Sequence, residues 1–357
     1  MRIISVQALR ALAAFSVLTG HALGAAASTG ELAKPALPYG AGVDLFFAIS
    51  GFIMVYSAQR IFTHASARKE FLIKRAARVV PLYWGATTAL LAVMILTLDP
   101  RETLPPVSYI AASYFFIPND AYGSAGGIPF PLLSLGWTLN YEMLFYAVFS
   151  IFIFLPRSLA TLGVQITLLA AVGLGLLLEP TSIVLSTWTQ PIILEFALGV
   201  TIANALLSGA RLPITFSTLL VIFACFWLLL DPFGLLSLDQ TPNDFRRLGG
   251  WGLPAALILG GVVLGRGQMS PRLEKPAALL GDASYSLYLT HPFILIPLEH
   301  AWLGLLGPRH LHGMVMIGIV LAIAFSIAVN RVIEKPMVRL LHRVRPSIRR
   351  DAIPAAP

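Results

Sequence analysis

The sequence predicts an all-α, polytopic integral membrane protein with about ten transmembrane helices and both termini in the cytoplasm. The composition, the recurrence of hydrophobic runs and the distribution of basic residues predict it. The chain of 357 residues is 57% hydrophobic and 12% charged, with a mean hydropathy of +0.79. A soluble globular chain carries about twice that charged fraction. Strands are not expected, because lipid-exposed sheet edges leave backbone groups without hydrogen bonds.

Hydrophobic runs close to the roughly 20 residues that cross a bilayer recur along the whole chain. We count ten, at about 5–25, 43–59, 79–98, 135–155, 160–178, 188–207, 212–230, 251–265, 281–303 and 313–332. The eighth run is short and rich in glycine. Together the runs predict one ten-helix transmembrane domain over residues 1–335, followed by a short basic cytoplasmic tail over residues 336–357 that frays.

The net charge of +8 is unevenly distributed along the chain. With a cytoplasmic N-terminus, the inner segments carry 19 Lys and Arg and the outer segments five, while Arg10 lies within the first run. This is the bias that the positive-inside rule describes. The basic excess therefore indicates topology and argues against nucleic acid as a partner. The single cysteine, Cys225, can form no internal disulfide.

Two charged side chains interrupt the first run. A charge at membrane depth costs about 2.5–3.5 kcal/mol on insertion scales, so Arg10 and His21 are expected to face inward and to be functional. Eleven residues make almost three helical turns, so both side chains lie on one stripe, about 16 Å apart along the axis.

His21, Asp44, Glu142 and Glu195 fall at a comparable outer-leaflet depth on four predicted helices. Imidazole titrates near neutrality, and a histidine beside carboxylates is the usual material of general acid–base catalysis. A membrane histidine can equally bond a neighbouring carbonyl, and Asp44 can cap its helix. His291, nearer the midplane, can satisfy a carbonyl that the following proline leaves free.

Three further groups stand out. Arg75 and Arg78 share a helix face; by themselves they indicate a positive-inside anchor, and they become a candidate site for phosphate oxygens only if the substrate carries phosphates at the inner face. Trp137 and Tyr141 share a face, as do Glu142 and Tyr146; such rings can form a platform for a sugar or an ordinary interfacial belt. Within the second run, Gly51 permits close backbone approach, and Ser50 offers a hydroxyl.

Six ordered motifs resemble membrane acyltransferase family 3 along the whole chain. They are Leu9-Arg10 to His21, Gly42 to Phe52, Arg75-x-x-Arg78 with Val80 to Tyr83, Trp137 to Tyr146, Tyr285 to Pro292, and Glu334-Lys335-Pro336. Each motif is weak alone, and six in this order are strong. The short sequences Ile53 to Tyr56 and Pro81 to Trp84 are similar to those of the single-domain branch of the family, whose members acetylate exopolysaccharide.

The resemblance implies ten core helices and transfer of an acyl group, with acetyl expected, onto a glycan outside the cytoplasm. It implies that His21, helped by Arg10, is catalytic and that Arg75 and Arg78 bind the acyl-CoA donor. We add Glu142 as a residue that orients or polarises the histidine. Expected acceptor-binding or supporting residues are Asp44, Ser50, Gly51, Trp137, Tyr141, Tyr146, Glu195, Tyr288, His291 and Glu334.

The resemblance also implies the reaction partners and the location. Acyl-CoA, with acetyl-CoA expected, is a co-substrate, and no permanently bound cofactor or metal is expected. The acceptor is expected to be exopolysaccharide or lipopolysaccharide O-antigen, and the enzyme is expected in the bacterial inner membrane, as a homodimer or with the glycan-biosynthesis machinery. A glycan transporter or flippase remains the alternative, since inward-facing charges suit it equally, although no inverted repeat is evident.

Overall fold

The computed structural model describes residues 3–30, 32, 36–97, 103–119, 128–238, 242–265, 267 and 269–343. Within these ranges the regular elements are helices; an isolated β-bridge joins Leu212 and Gly265, and no β-strand is formed. The all-α prediction is therefore confirmed for the described part of the chain.

The helices follow one another in the order of the predicted hydrophobic runs. The first eight are α1 (Ile4–Ala27), α2 (Ala41–Ala58), α3 (Ala67–Thr97), α4 (Val107–Tyr114), α5 (Trp137–Phe152), α6 (Arg157–Leu178), α7 (Ile183–Trp188) and α8 (Leu194–Leu207). The remaining seven are α9 (Ile214–Leu230), α10 (Phe245–Arg247), α11 (Leu253–Leu264), α12 (Pro271–Thr290), α13 (Pro292–Leu306), α14 (Leu311–Val329) and α15 (Lys335–Arg343). Short 3-10 turns cover Ser134–Gly136, Pro191–Ile193 and Leu235–Ser237, and π-helical turns cover Leu248–Gly252 and Asn330–Glu334.

Six helical stretches are long and apolar enough to cross a membrane. They are Ile4–Ala27, Ala41–Ala58, Ala67–Thr97, Arg157–Leu178, Phe245–Leu264 and Leu311–Leu340. Large apolar side chains such as Leu177, Phe226 and Val320 are exposed on α6, α9 and α14. A surface this apolar suits lipid rather than water. These features agree with a polytopic membrane protein, while the count of ten and the side of the termini stay predictions.

Helix α2 is the central element, and it packs most extensively against α8. The two helices approach so closely that a Cβ atom on Gly51 would overlap the Phe196 carbonyl, and a Cβ on Gly199 would overlap the Ala48 carbonyl. Only glycine fits at such backbone contacts. The close approach predicted from Gly51 is therefore confirmed, and it fixes the position of the preceding residue, Ser50.

Replacing Gly199 with alanine is expected to lower the stability of the purified protein by about 1–3 kcal/mol, because the added methyl group forces α2 and α8 apart. Thermal unfolding in detergent measures the change. Gly85→Ala is the matched control, because a Cβ there meets no atom within 4 Å and Gly85 lies exposed in α3. Equal melting temperatures for the two variants would contradict the close-contact explanation.

Helix α1 lies between α2 and α12, and α3 contacts both α5 and α12. The run predicted as one span over 281–303 is instead two helices, α12 and α13, which meet at His291. Pro292 has no N–H to continue the hydrogen-bond ladder, so the helix breaks there. This break places His291 at the junction, with its side chain turned toward α1.

The start of the predicted tail differs from expectation. Residues Lys335–Arg343 form α15, which packs against α3, and are not a frayed segment. Lys335 also pairs with Asp282 at 3.1 Å. Residues 344–357 of the predicted tail lie outside the described residues.

Candidate functional site

Three neighbouring cavities follow the length of α1. The first, the basic cavity, lies at the N-terminal end of α1 and has a volume of about 730 Å³, within the range of roughly 300–1,000 Å³ typical of ligand pockets. Two acidic residues, Asp282 and Glu334, line it. Its basic lining residues are Arg10, Lys74, Arg75, Arg78, Lys335 and Arg339. The excess of cations suits an anionic ligand.

Arg75 and Arg78 line both the basic cavity and the cavity that follows it, as their spacing on one helix face predicts. Arg75 donates from Nη2 to Ser57 Oγ at 2.8 Å and lies over the ring of Phe71. Its Nε is buried without a hydrogen-bond partner among the described residues. Arg78 likewise makes no hydrogen bond within them. Both guanidinium groups therefore keep donors for a bound anion.

The second cavity, the central chamber, is smaller than the basic cavity, with a volume of about 170 Å³. Arg10 faces it and donates to Ser284 Oγ at 2.9 Å. Glu142 faces it as well, and its Oε1 accepts hydrogen bonds from Ser50 Oγ at 3.0 Å and from the Tyr146 hydroxyl. The central chamber is therefore lined by one carboxylate, that of Glu142, which already accepts two hydroxyl hydrogen bonds. Three arginines, Arg10, Arg75 and Arg78, line the same chamber.

Val43 and Tyr288 line both the central chamber and the third cavity, so they form the wall between the two. The Tyr288 hydroxyl donates to the Leu135 carbonyl at 3.0 Å and lies 2.9 Å from Thr138 Oγ1. These bonds hold the tyrosine ring in place across the passage. The central chamber and the third cavity are thus adjacent, and the two buried side chains of Val43 and Tyr288 lie between them.

The third cavity, the histidine cavity, lies at the C-terminal end of α1 and has a volume of about 480 Å³. His21 is exposed and lines it. Its Nδ1 lies 2.8 Å from Nε2 of His291, a buried residue whose own Nδ1 lies 2.9 Å from the Leu287 carbonyl oxygen. His21 therefore has one ring nitrogen bound by another histidine and the other, Nε2, available for chemistry.

A buried ion pair borders the histidine cavity. Arg247, which lines the cavity, binds Asp44 in a bidentate manner, with Nε–Oδ1 at 2.9 Å and Nη2–Oδ2 at 3.0 Å. Its Nη1 donates to Asn243 Oδ1 at 3.1 Å, and its guanidinium carbon lies 5.4 and 5.5 Å from the ring centroids of Trp137 and Trp251. Arg247 is therefore held rigidly by an acid, an amide and two indole rings.

Glu195 is fully buried beside this ion pair, with Asp44 and Arg247 as its charged neighbours. Neither of its carboxylate oxygens has a hydrogen-bond donor among the described residues. Glu195 and Asp44 are thus two fully buried carboxyl groups beside one guanidinium group. Charge balance favours one retained proton on the two acids.

The predicted aromatic platform is not open. Tyr141 is buried, and its hydroxyl accepts a hydrogen bond from Asn243 Nδ2 at 3.1 Å. Trp137 lines the histidine cavity, but its ring contacts Arg247. The expectation that both rings face a sugar is therefore wrong for Tyr141, because that ring fills the core between α2 and α5.

Similarity to known proteins identifies the family of this chain. A family model described as "Acyltransferase domain" matches residues 3–331, which is nearly the whole chain. The chain belongs to this acyltransferase family. It is 38% identical over 302 residues to the exopolysaccharide production protein ExoZ of Rhizobium meliloti (strain 1021). The aligned residues make up 84% of this chain and 89% of that protein. No solved structure matches the chain.

In the acyltransferase, the four groups expected at one depth do not form one cluster. His21 contacts His291, Asp44 and Glu195 surround Arg247, and Glu142 faces the central chamber. Glu142 is therefore separated from His21 by the Tyr288 wall, so its predicted role of orienting the histidine is not supported by a contact. Depth along the membrane normal places residues in a layer, but only helix rotation decides which of them meet.

Glu334 of the acyltransferase lies at the opposite end, in the lining of the basic cavity. Its Oε2 accepts from Ser286 Oγ at 2.5 Å and from Asn330 Nδ2 at 2.8 Å. The bond from Ser286 ties α12 to the π-helical turn Asn330–Glu334, and the bond from Asn330 lies within that turn. Within the described ranges, no three His, Cys, Asp or Glu side chains are placed to hold a metal ion.

Arg247 and Asn243 were not predicted as site residues, and Arg247 was counted only among the five cations of the outer segments. The missing signal was charge balance: two carboxylates predicted inside the membrane at one depth require a cation there. Arg247 comes just before the eighth run, at a position where it can supply that cation. The contact between His21 and His291 joins residues 270 positions apart and leaves no local pattern.

Proposed function

We propose that the chain is an inner-membrane O-acyltransferase that moves an acyl group, with acetyl expected, from cytoplasmic acyl-CoA to a hydroxyl of an extracytoplasmic glycan. The similarity to an exopolysaccharide production protein supports exopolysaccharide as the acceptor, with O-antigen as the alternative. The observation that carries the proposal is the series of three cavities, which begins at arginines that keep free hydrogen-bond donors among the described residues and ends at a histidine whose second ring nitrogen faces the cavity.

Under the predicted topology the basic cavity opens to the cytoplasm. Its cations suit the phosphates of CoA, and Arg75 and Arg78 carry the donors for them. With a volume of about 170 Å³, the central chamber is smaller than a typical ligand pocket, and we expect only the extended acyl-pantetheine arm to enter it. Arg10, fixed by Ser284, lies on that path as a guiding charge.

The histidine cavity opens to the other side, where the acceptor arrives. Nε2 of His21 takes the proton of the acceptor hydroxyl while the hydroxyl oxygen attacks the thioester carbon. The new ester C–O bond forms, the C–S bond breaks, and CoA leaves as the thiolate. Because Val43 and Tyr288 separate the two cavities, the tyrosine ring has to move before the thioester reaches His21.

Transfer of label tests the function. The purified protein in liposomes is given radiolabelled acetyl-CoA and deacetylated exopolysaccharide, and the glycan is isolated and counted. Label on the glycan is expected only when protein, donor and acceptor are all present. A glycan transporter or flippase would leave the glycan unlabelled, and that result would overturn the proposal.

Replacing Arg75 with alanine is expected to raise the Michaelis constant for acetyl-CoA by about 10- to 100-fold, since a hydrogen bond to a charged group is worth roughly 1.5–3 kcal/mol. Arg75→Lys keeps the charge without the guanidinium fork, so its effect is expected to be smaller. Steady-state kinetics with varied acetyl-CoA measures both. Lys69→Ala is the control, because Lys69 is an exposed cation of α3 outside the described cavities. An unchanged constant in Arg75→Ala would remove the donor role.

A further inference from the structure

The contact between His21 and His291 has the geometry of a directed hydrogen bond. The nitrogens lie 2.8 Å apart, the ring planes differ by only 18°, and the centroids are 5.0 Å apart. The centroid separation exceeds the nitrogen separation by nearly the sum of the distances from each ring centre to its own nitrogen, which is possible only when the two rings lie end to end. The two imidazoles therefore meet edge to edge in nearly one plane, so that an N–H on one points at the lone pair of the other.

The Leu287 carbonyl decides which nitrogen carries the proton. A carbonyl oxygen only accepts, so His291 Nδ1, at 2.9 Å from it, must carry hydrogen. In neutral His291 the remaining nitrogen, Nε2, is then an acceptor. His21 must in turn donate from Nδ1, which leaves its Nε2 without hydrogen. Two cations cannot be accommodated here, because His291 is only 1% exposed and its partner nitrogen is 2.8 Å away.

The backbone at the end of α12 holds His291 in this orientation. Leu287 O accepts the His291 backbone N–H at 3.2 Å as well as the ring N–H, so both of its lone pairs are used. Pro292 ends the helix directly afterwards. The burial of the His291 ring leaves no place for water to replace its bond to His21.

We propose that His291 is a positioning residue that holds His21 in the tautomer with hydrogen on Nδ1, so that His21 Nε2 is the reactive nitrogen. The inference rests on the proposed function for its catalytic meaning, but not for the tautomer itself. When Nε2 gains the proton of the acceptor hydroxyl, the resulting imidazolium keeps its Nδ1–H bond to His291 Nε2. An acyl-histidine route needs the same free nitrogen, so the assignment holds for both.

Nitrogen NMR of the full-length protein, labelled with ¹⁵N-histidine in detergent, tests the tautomer directly. The His21 signals are assigned by their loss in His21→Gln. Hydrogen on Nδ1 and none on Nε2 is expected for the native chain. His291→Phe keeps a ring without an acceptor, and the His21 proton is expected to move to Nε2. A native chain with hydrogen on Nε2, or an unchanged tautomer in His291→Phe, overturns the proposal.

Kinetics supplies the second readout. His291→Phe is expected to lower kcat by about 100-fold with little change in the Michaelis constant for acetyl-CoA, as for other residues that orient a catalytic histidine. His291→Gln can offer an oxygen acceptor near the position of Nε2 and is expected to restore part of kcat. It also serves as the test variant if His291→Phe does not fold. Equal kcat losses for the two variants would indicate a merely structural role.

His300→Phe is the matched control. His300 makes the same ring bond to a carbonyl four residues earlier, from Nδ1 to Ile296 O at 2.8 Å, but it is exposed and does not line the described cavities. Its replacement is expected to leave kcat unchanged. If the native chain transfers no acyl group from acetyl-CoA, the proposed function fails in this assay, while the NMR result still decides the tautomer.

Discussion

Alanine at position 21 is expected to lower the turnover number by about 10²–10⁴-fold, the range that general acid–base catalysis contributes. His21 is exposed to its cavity, so the substitution removes little packing and the protein level is expected to stay normal. The Michaelis constant for acetyl-CoA is expected to change little, because Arg75 and Arg78, the proposed donor-binding residues, line the other two cavities. Label transfer to exopolysaccharide at saturating donor measures the effect.

The control for this variant is His300→Ala, the same chemical change at an exposed histidine of α13. It is expected to transfer label at the native rate. Full activity of His21→Ala at a normal protein level would rule out the proposed mechanism. Loss of activity in both variants would instead indicate a general effect on the protein, and thermal unfolding would identify it.

Removal of the Arg247 guanidinium is expected to cause the largest loss of stability. In Arg247→Met, Asp44 remains fully buried beside Glu195 with no cation, and breaking a buried pair in this way costs about 3–5 kcal/mol. The melting temperature in detergent and the yield of folded protein are expected to fall together. Arg246→Met is the matched control, because the neighbouring pair of Arg246 with Asp244 is exposed and worth about 1 kcal/mol or less.

A double substitution separates the cost of a broken pair from the value of an intact one. Asp44→Leu with Arg247→Met removes both charges, and it is expected to be more stable than Arg247→Met alone. Glu195→Gln in the native background is expected to be tolerated, since the amide keeps the shape of a protonated acid. A double variant as unstable as the single one would show that Arg247 acts through its packing between Trp137 and Trp251.

The sequence predicted the class of fold and several local arrangements correctly. Hydropathy located the helices because lipid exposure imposes an apolar surface along each of them. The spacing of Arg75 and Arg78, and of Glu142 and Tyr146, placed each pair on a common face, since helical periodicity is local. The structure bears out both pairings.

What could not be predicted depends on helix rotation and tertiary contacts. The partners of His21, Asp44 and Glu142 come from residues 270, 203 and 92 positions away. Depth along the membrane cannot choose among such partners. The break at Pro292 was readable as a freed carbonyl, but its consequence, the placement of His291 against α1, needs the packing of α12 on α1.

The Tyr288 wall has a consequence for the membrane itself. Under the predicted topology, cavities open to opposite sides of the bilayer and meet at Val43 and Tyr288. A continuous column of water through them would conduct protons and drain the gradient that the cell maintains. Under that topology, the closed contact at Val43 and Tyr288 keeps the two cavities from joining into one water-filled path.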